Sequence, residues 1–520
     1  MKRFIIATAM FLLLHVPGTA QFVQPHAGAV ERTVNAKMAD VVSVRDFCSA
    51  PCANITDALN AISKLGSKNL QVVLPEGDLN LTETVTFTDK NLRLIGAGVG
   101  VTRVICSATS ICLNFLSTSM LSSGFSRLHV SDLTFERSDN LIPGSSGIGI
   151  QARWNYTKIV SSHDHAAFEN VNFSGSPKSS WMVGIKLIDG GRIRFSNVSI
   201  DNGGAQTSDA RAGVEIERLN ATNITGFEFV NSFFYGTNAA IRLTHATAPA
   251  GTIEGIYIIN QESVGLRHII YDDNERTGDK TRKVNGVAYT GGHASISYSA
   301  FTFGWVSNLI LNGNQFTFSN NADRSAALEA GIVARTSAQN ISVTGGFYLV
   351  GSGGASRKPF LLLPTDADTR FIILSGIMVG GFGSIVDQVG TPSTSASHIY
   401  IDPSVQVSNS VFTSTTGSGY RLRNPSAAGT IAASATLPIA LNPNTGTISL
   451  TTVPVALGGT GADLSATGGA SQVLQQSTPG GRITVGPLPG LSVTKTVRAS
   501  GGKSDCTLIF NGGLLTDSTC

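Results

Sequence analysis

Glu215 and Glu217 stand two residues apart in the run Gly213 to Leu219, where apolar and polar residues alternate. Alternation of period two is the mark of a strand, so both carboxylates face one side, roughly 6 to 7 Å apart by strand rise. That spacing falls inside the ~5 to 9.5 Å used by two-carboxylate glycoside hydrolysis, which makes Glu215 and Glu217, with Asp189 nearby, the candidate catalytic acids. Lys186 and Arg242 flank the pair in neighbouring runs of the same pattern and would bind an acidic sugar or hold a carboxylate ionised. His245, Asp201 and Asp209 complete the candidate substrate-binding set. A second account of the same residues is a solvated cross-strand charge ladder of Lys186, Glu215 and Arg242 with no chemistry.

These residues require an element that repeats strands in register. From about Ser126 to Val407 one frame recurs: two aliphatic positions, a turn containing Asn, Asp, Gly or Pro, then two more aliphatic positions. Leu128 to Phe135, Phe168 to Phe173, Ile193 to Ile200, Phe227 to Phe234, Ile341 to Leu349, Ile372 to Val379 and Ile399 to Val407 all carry it. The turn residues Asp132, Asn170, Asn197 and Asn231 are 38, 27 and 34 residues apart, and Gly345, Gly376 and Pro403 are 31 and 27 apart. So irregular a period fits a parallel solenoid whose other corners absorb insertions, not a propeller or leucine-rich repeat. The Asn and Gly residues suit left-handed corners and carry no function.

A second column runs through Gly147 to Arg153, Gly184 to Gly190, Gly213 to Leu219 and Ala240 to Ala246. With Ile185, Val214 and Ile241 inward, Lys186, Glu215 and Arg242 point outward on successive coils about 4.8 Å apart. Glu217 and Thr244 form the next outward column. Ser138 to Ser146, Asp201 to Ala212 and Glu262 to His293 read as insertions, and a groove is expected beside them.

The entrance, Val42 to Gly100, reads as an extended segment followed by a short helix with Ile55, Leu59, Ile62 and Leu65 at helical spacing, lying over the open end. Strands follow at Gln71 to Leu74, Thr84 to Phe87 and Leu92 to Ile95. Val44, Asp46 and Phe47, then Thr56, Ala58, Leu59, Ala61 and Ile62, then Leu74, Pro75 and Gly77, then Gly96 and Gly98, resemble the entry motif of the pectate-lyase superfamily, including rhamnogalacturonase- and epimerase-like proteins and phage tailspikes. Cys48 and Asn54-Ile55 depart from that motif. The resemblance implies an all-β, right-handed parallel β-helix with an N-terminal capping helix. It transfers no catalytic residue: Asp272-Asp273 and Gly291-Gly292-His293 are only fragments of the polygalacturonase pattern, placed in a loop, and the pectate-lyase signals are missing.

The chain reads as five parts: 1–20 a signal peptide, 21–41 a linker, 42–420 the β-helix, 421–491 a Gly/Ser/Thr-rich segment, and 492–520 a small β-rich module. Lys2-Arg3, the apolar run Phe4 to Leu14 and Pro17 to Ala20 have the three parts of a secretory leader, and no other segment could cross a bilayer. Six cysteines fall into close pairs, Cys48 with Cys52, Cys106 with Cys112 and Cys506 with Cys520; local closure is the simplest of fifteen pairings in an oxidising compartment. Ala456 to Gly469 resembles segments of phage tail fibres, which implies a homotrimer; a plain low-complexity linker is the other reading. A net charge of +3 over 520 residues excludes a broad basic field for nucleic acid. His163-Asp164-His165 is better read as a loop than a metal site, Trp154, Trp181 and Trp305 as packing before sugar stacking, and no motif implies a cofactor or metal. The sequence therefore points to a secreted, extracellular or cell-surface protein that binds polysaccharide, as a hydrolase or lyase or else as a non-catalytic adhesin or fibre.

Overall fold

The computed structural model describes residues 41–48 and 52–408, apart from 109, 119–125, 139–146, 156–163, 177–178, 204–209, 221–222, 246–249, 320–327, 352–357, 365–368, 390–398 and 403, together with short strands outside that range. The leader over 1–20, Asp209, His163, Pro403 and the pairing of Cys506 with Cys520 lie outside the described residues.

Each coil of the first unit (1–429) contributes strands to three stacked parallel faces. The first face begins at Val41–Ser43 and passes through Asn69–Val73, Asn91–Ile95 and onward to Ile399–Ile401. The second begins at Gly77–Leu81, a strand lying between those expected at Gln71 to Leu74 and Thr84 to Phe87. The third begins at Val85–Thr88 and runs through Ile111–Ser117, Ile148–Trp154, Val183–Ile188, Ala212–Glu217, Ala239–Thr244 and His268–Asp272. Every neighbouring pair on these faces is parallel, which establishes a parallel β-helix.

Alternation builds the interior. Within Ala166–Ser174, Ala166, Phe168, Val171 and Phe173 are buried, and the phase flips at Asn170. Asn170 has φ 52°, and Asp132, Asn197 and Asn231 occupy the same left-handed corner at 60°, 52° and 50°. A short polar side chain tolerates that backbone, and here it is also used: Asn170 Nδ2 donates to Asp132 Oδ1 and Asn197 Nδ2 to Asn170 Oδ1, both at 3.0 Å. Inside, Phe168, Phe195 and Phe229 stack at 5.2 and 4.3 Å between ring centroids. The core is continuous from Val42 to Val405.

The capping helix is Thr56–Ser63, with Ala58, Leu59 and Ile62 in that core, Ile55 at its N-cap and Leu65 packed against it. Cys48 is bonded to Cys52 and Cys106 to Cys112, as local closure predicts. The second unit, 430–520, contains antiparallel pairs, including a three-stranded sheet of Val493–Val497, Cys506–Asn511 and Leu514–Ser518.

One expectation is overturned. Glu262 to His293 is no insertion: it holds Glu262–Leu266 on the second face, His268–Asp272 on the third and Arg282–Thr290 leading into the first, with only 273–281 as a corner loop. Its many charges hid an ordinary coil. Consequently Asp272 ends a strand and His293 begins one, neither being a loop residue.

The glycines that open the third-face runs have a packing reason. A Cβ at Gly213 would lie 2.4 Å from Phe234 Cδ1, and one at Gly184 would lie 2.8 Å from Ile200 Cδ1. Gly213→Val is therefore expected to cost about 1–3 kcal/mol through overpacking. A lowered thermal midpoint with unchanged far-ultraviolet dichroism would show it; an unmoved midpoint would mean that Phe234 yields freely.

Candidate functional site

The third face carries the predicted column in register: Lys186 pairs with Glu215, Glu215 with Arg242 and Glu217 with Thr244. Ile185, Val214 and Ile241 point inward and are fully buried. The charges do form a ladder, but a solvated one it is not. Glu215 has 0% exposure and Glu217 9%. Lys186 Nζ stands 3.0 Å from Glu215 Oε1 and 2.6 Å from Glu217 Oε2, bridging the two acids. Arg211 Nε lies 3.0 Å from Glu215 Oε2, and Arg242 Nε lies 4.0 Å from it. Burial works to lower the Lys186 pKa, yet Glu215 and Glu217 outweigh it and hold the ammonium above its ordinary range.

The other candidates are not gathered around this pair. Asp189 sits at the corner leaving the third face with φ 54°, and its carboxylate accepts the backbone N–H groups of Leu219 at 2.7 Å and Asn220 at 3.0 Å. Asp201 ends a second-face strand at the opposite corner and accepts the N–H of Gly203. His245 is buried, with Nε2 3.3 Å from Oδ1 of the equally buried Asp272. His165 accepts the Gly191 N–H through Nδ1 and packs on Trp154; Trp154 and Trp181 are themselves buried. Among the described residues no His, Cys, Asp and Glu cluster is arranged to hold a metal, and no helix is long and apolar enough to cross a membrane.

An open pocket of about 150 Å³ lies one to three coils further along the same face. Its floor is Ala239 and Arg242 from one coil, His268 and Tyr271 from the next and Thr302 from the third. Arg211, Asn238, Arg267 and Tyr298, at the corners entering the face, form one wall; Glu275 and Arg276, in the 273–281 corner, form the other. Guanidinium groups lie over aromatic rings: Arg242 at 5.3 Å and Arg276 at 5.9 Å from the Tyr271 centroid, Arg267 at 5.4 Å from Tyr298.

The protonation of the lining is set by burial. His268 is pushed down to about 3, by burial first and by Arg267 second, and its Nδ1 donates to the Ser299 carbonyl at 3.0 Å, so the ring is neutral. Burial, then Glu329, raises Tyr298 to about 12; burial, then Glu275, raises Tyr271. Both phenols remain hydrogen-bond donors, and Tyr271 donates to Glu275 Oε1 at 3.1 Å.

Of this pocket, sequence reasoning found Arg242 alone. It missed Arg211, Arg267, His268, Tyr271, Glu275, Arg276 and Tyr298. A signal was present: Lys186 to Glu215, Glu215 to Arg242 and Arg242 to Tyr271 are separated by 29, 27 and 29 residues, so the column continued into the segment taken for an insertion.

No protein-family model matches the chain, and neither does any curated protein. Among solved structures, the catalytic domain of a GH87 alpha-1,3-glucanase in complex with nigerose is 12% identical over 75% of this chain and 66% of that chain, with a TM-score of 0.41. The catalytic unit of the thermostable GH87 alpha-1,3-glucanase from Streptomyces thermodiastaticus strain HF3-3 gives 14%, 78%, 66% and 0.36 for the same four quantities. The Acinetobacter phage vb_AbaP_AS12 gp42 tailspike gives 12%, 68%, 63% and 0.37. This chain thus spans just under two thirds of the length of each. At such identity and superposition, no residue role passes to it.

Proposed function

We propose that this chain is a polysaccharide-binding β-helix protein that works outside the cytoplasm, holding its glycan across successive coils of the third face at the arginine and tyrosine pocket. The observation that carries the proposal is the pocket itself: two tyrosines and four arginines converge from three coils and two corners on one open depression. Aromatic faces suit the apolar faces of sugar rings, and guanidinium forks suit their oxygens. Two local disulfides fit an oxidising compartment.

Cleavage by Glu215 and Glu217 has less support, because a hydrolytic pair must reach the scissile bond and Glu215 has no exposed surface. Binding without cleavage, the adhesin alternative, is the better reading of this geometry.

The test is a screen of the full chain against acidic and neutral polysaccharides, scoring binding together with reducing ends and unsaturated-uronate absorbance. Binding without release of either product is expected, and Tyr271→Ala should weaken it about tenfold, because the Tyr271 ring carries Arg242 and Arg276 and its hydroxyl holds Glu275. Product release would replace the adhesin reading with an enzyme. Full affinity in Tyr271→Ala would move the glycan elsewhere.

A further inference from the structure

We infer that this pocket, if it seats a glycan as proposed above, reads an anionic substituent of that glycan through Arg267 and Arg276, and that Glu275 is a built-in carboxylate competing for Arg276. The inference starts from charge. Four arginines and one glutamate line the pocket, while the one histidine there is neutral. The arginines are not equally engaged. Arg211 and Arg242 lean on buried Glu215, and Arg242 also stands 3.6 Å from Asp273. Arg267 has no carboxylate within ion-pair distance among the described residues and lies over Tyr298; its buried Nε, like those of Arg211 and Arg242, has no hydrogen-bond partner, so what sets it apart is the missing carboxylate. A guanidinium with no carboxylate partner keeps its charge available to an anion entering the pocket, which would accept from its exposed donors with charge assistance.

Glu275 shows what such an acceptor looks like. Its Oε1 takes the Tyr271 hydroxyl at 3.1 Å and lies 3.5 Å from Arg276 Nε, while Oε2 lies 3.2 Å from Arg335 Nε. Arg276 is 78% exposed and lies over Tyr271, so it is placed to exchange Glu275 for a ligand in the pocket. Arg335 and Tyr271 would still hold Glu275 after that exchange. Glu275 thereby sets how strong an anion must be to win Arg276, which separates a charged substituent from a hydroxyl.

A carboxylate and a sulfate ester present the same chemistry, and the experiment separates them. Binding of polygalacturonate, dextran sulfate and neutral dextran to the full chain is measured by calorimetry at low and high salt, for the wild type and for Arg267→Gln, Arg276→Gln and Glu275→Gln. The expected result is preferential binding of an anionic glycan, weakened by salt. Arg267→Gln should lower that affinity about tenfold, and Glu275→Gln should raise it about threefold. Arg276→Gln should lower it and abolish the gain in a double variant with Glu275→Gln. Arg276 is exposed enough for its variant to fold, so the test survives a failure of Arg267→Gln to fold. Binding of polygalacturonate alone would assign a carboxylate, and of dextran sulfate alone a sulfate. Equal binding of dextran, or anionic binding indifferent to all three substitutions, would overturn the inference and leave the polysaccharide reading standing. Failure of every glycan in the broader screen, these three included, would remove both.

Discussion

Lys186→Met is expected to destabilise the β-helix by about 3–5 kcal/mol, the range for removing one partner of a buried ion pair. The size follows from what the methionine would leave behind. Glu215 is wholly buried and Glu217 nearly so, and among the described residues Lys186 alone touches both with its charge. Arg211 and Arg242 still reach Oε2 of Glu215, which keeps the loss from being larger. Adding Glu215→Gln and Glu217→Gln to the lysine variant should recover much of the stability, since neutral amides remove the uncompensated charge. Denaturant midpoints of the single and triple variants check this, and equal midpoints for wild type and Lys186→Met would show that the ladder contributes nothing. The same pairing fixes a pH dependence. Because the folded chain holds Lys186 above its ordinary value of 10.5, the contribution is complete below that pH and fades as pH rises through the elevated folded value. Stability in Lys186→Met should lack this alkaline component.

Asp272→Ala is expected to cost about 3 kcal/mol and to weaken glycan binding at the same time. This carboxylate has 0% exposure and holds three elements together: Oδ1 accepts the Asn274 N–H at 3.1 Å and lies 3.3 Å from His245, while Oδ2 accepts the Gly304 N–H at 3.0 Å in the next coil. Asn274 belongs to the corner that presents Glu275 and Arg276 to the pocket. Alanine would leave two buried N–H groups without acceptors and free that wall from the floor. Asp272→Asn keeps one acceptor and should lose less on both counts. A variant that is destabilised but binds normally would show that the corner is held by its other contacts, such as Asn274 Nδ2 to the carbonyls of Asp279 and Arg282, each at 3.0 Å.

Much of the fold was legible because its determinants are local. Apolar alternation places Phe168, Val171 and Phe173 inside whatever the neighbouring coils contain. Asn170, Asn197 and Asn231 announce left-handed corners by residue type, and Cys48 and Cys106 find partners within a few residues. Lys186, Glu215 and Arg242 were placed in one column by spacing alone, and so they lie. The column was cut short at Arg242 because Tyr271 is followed by charged residues that look like an exposed loop.

Residue type and period two therefore determined most of the strands, their inward and outward sides, the corners and the register of the charge ladder, and helical spacing determined the capping helix. Tertiary structure alone decided which outward side chains meet solvent. An outward position on a β-helix is covered or open according to loops from other coils, and no local pattern records that. Arg211 and Lys186 close over Glu215, whereas Tyr271 and Tyr298 face an open pocket. Glu275 reaches Arg335 across 60 residues of chain, a contact that exists only because the coils between them fix the distance.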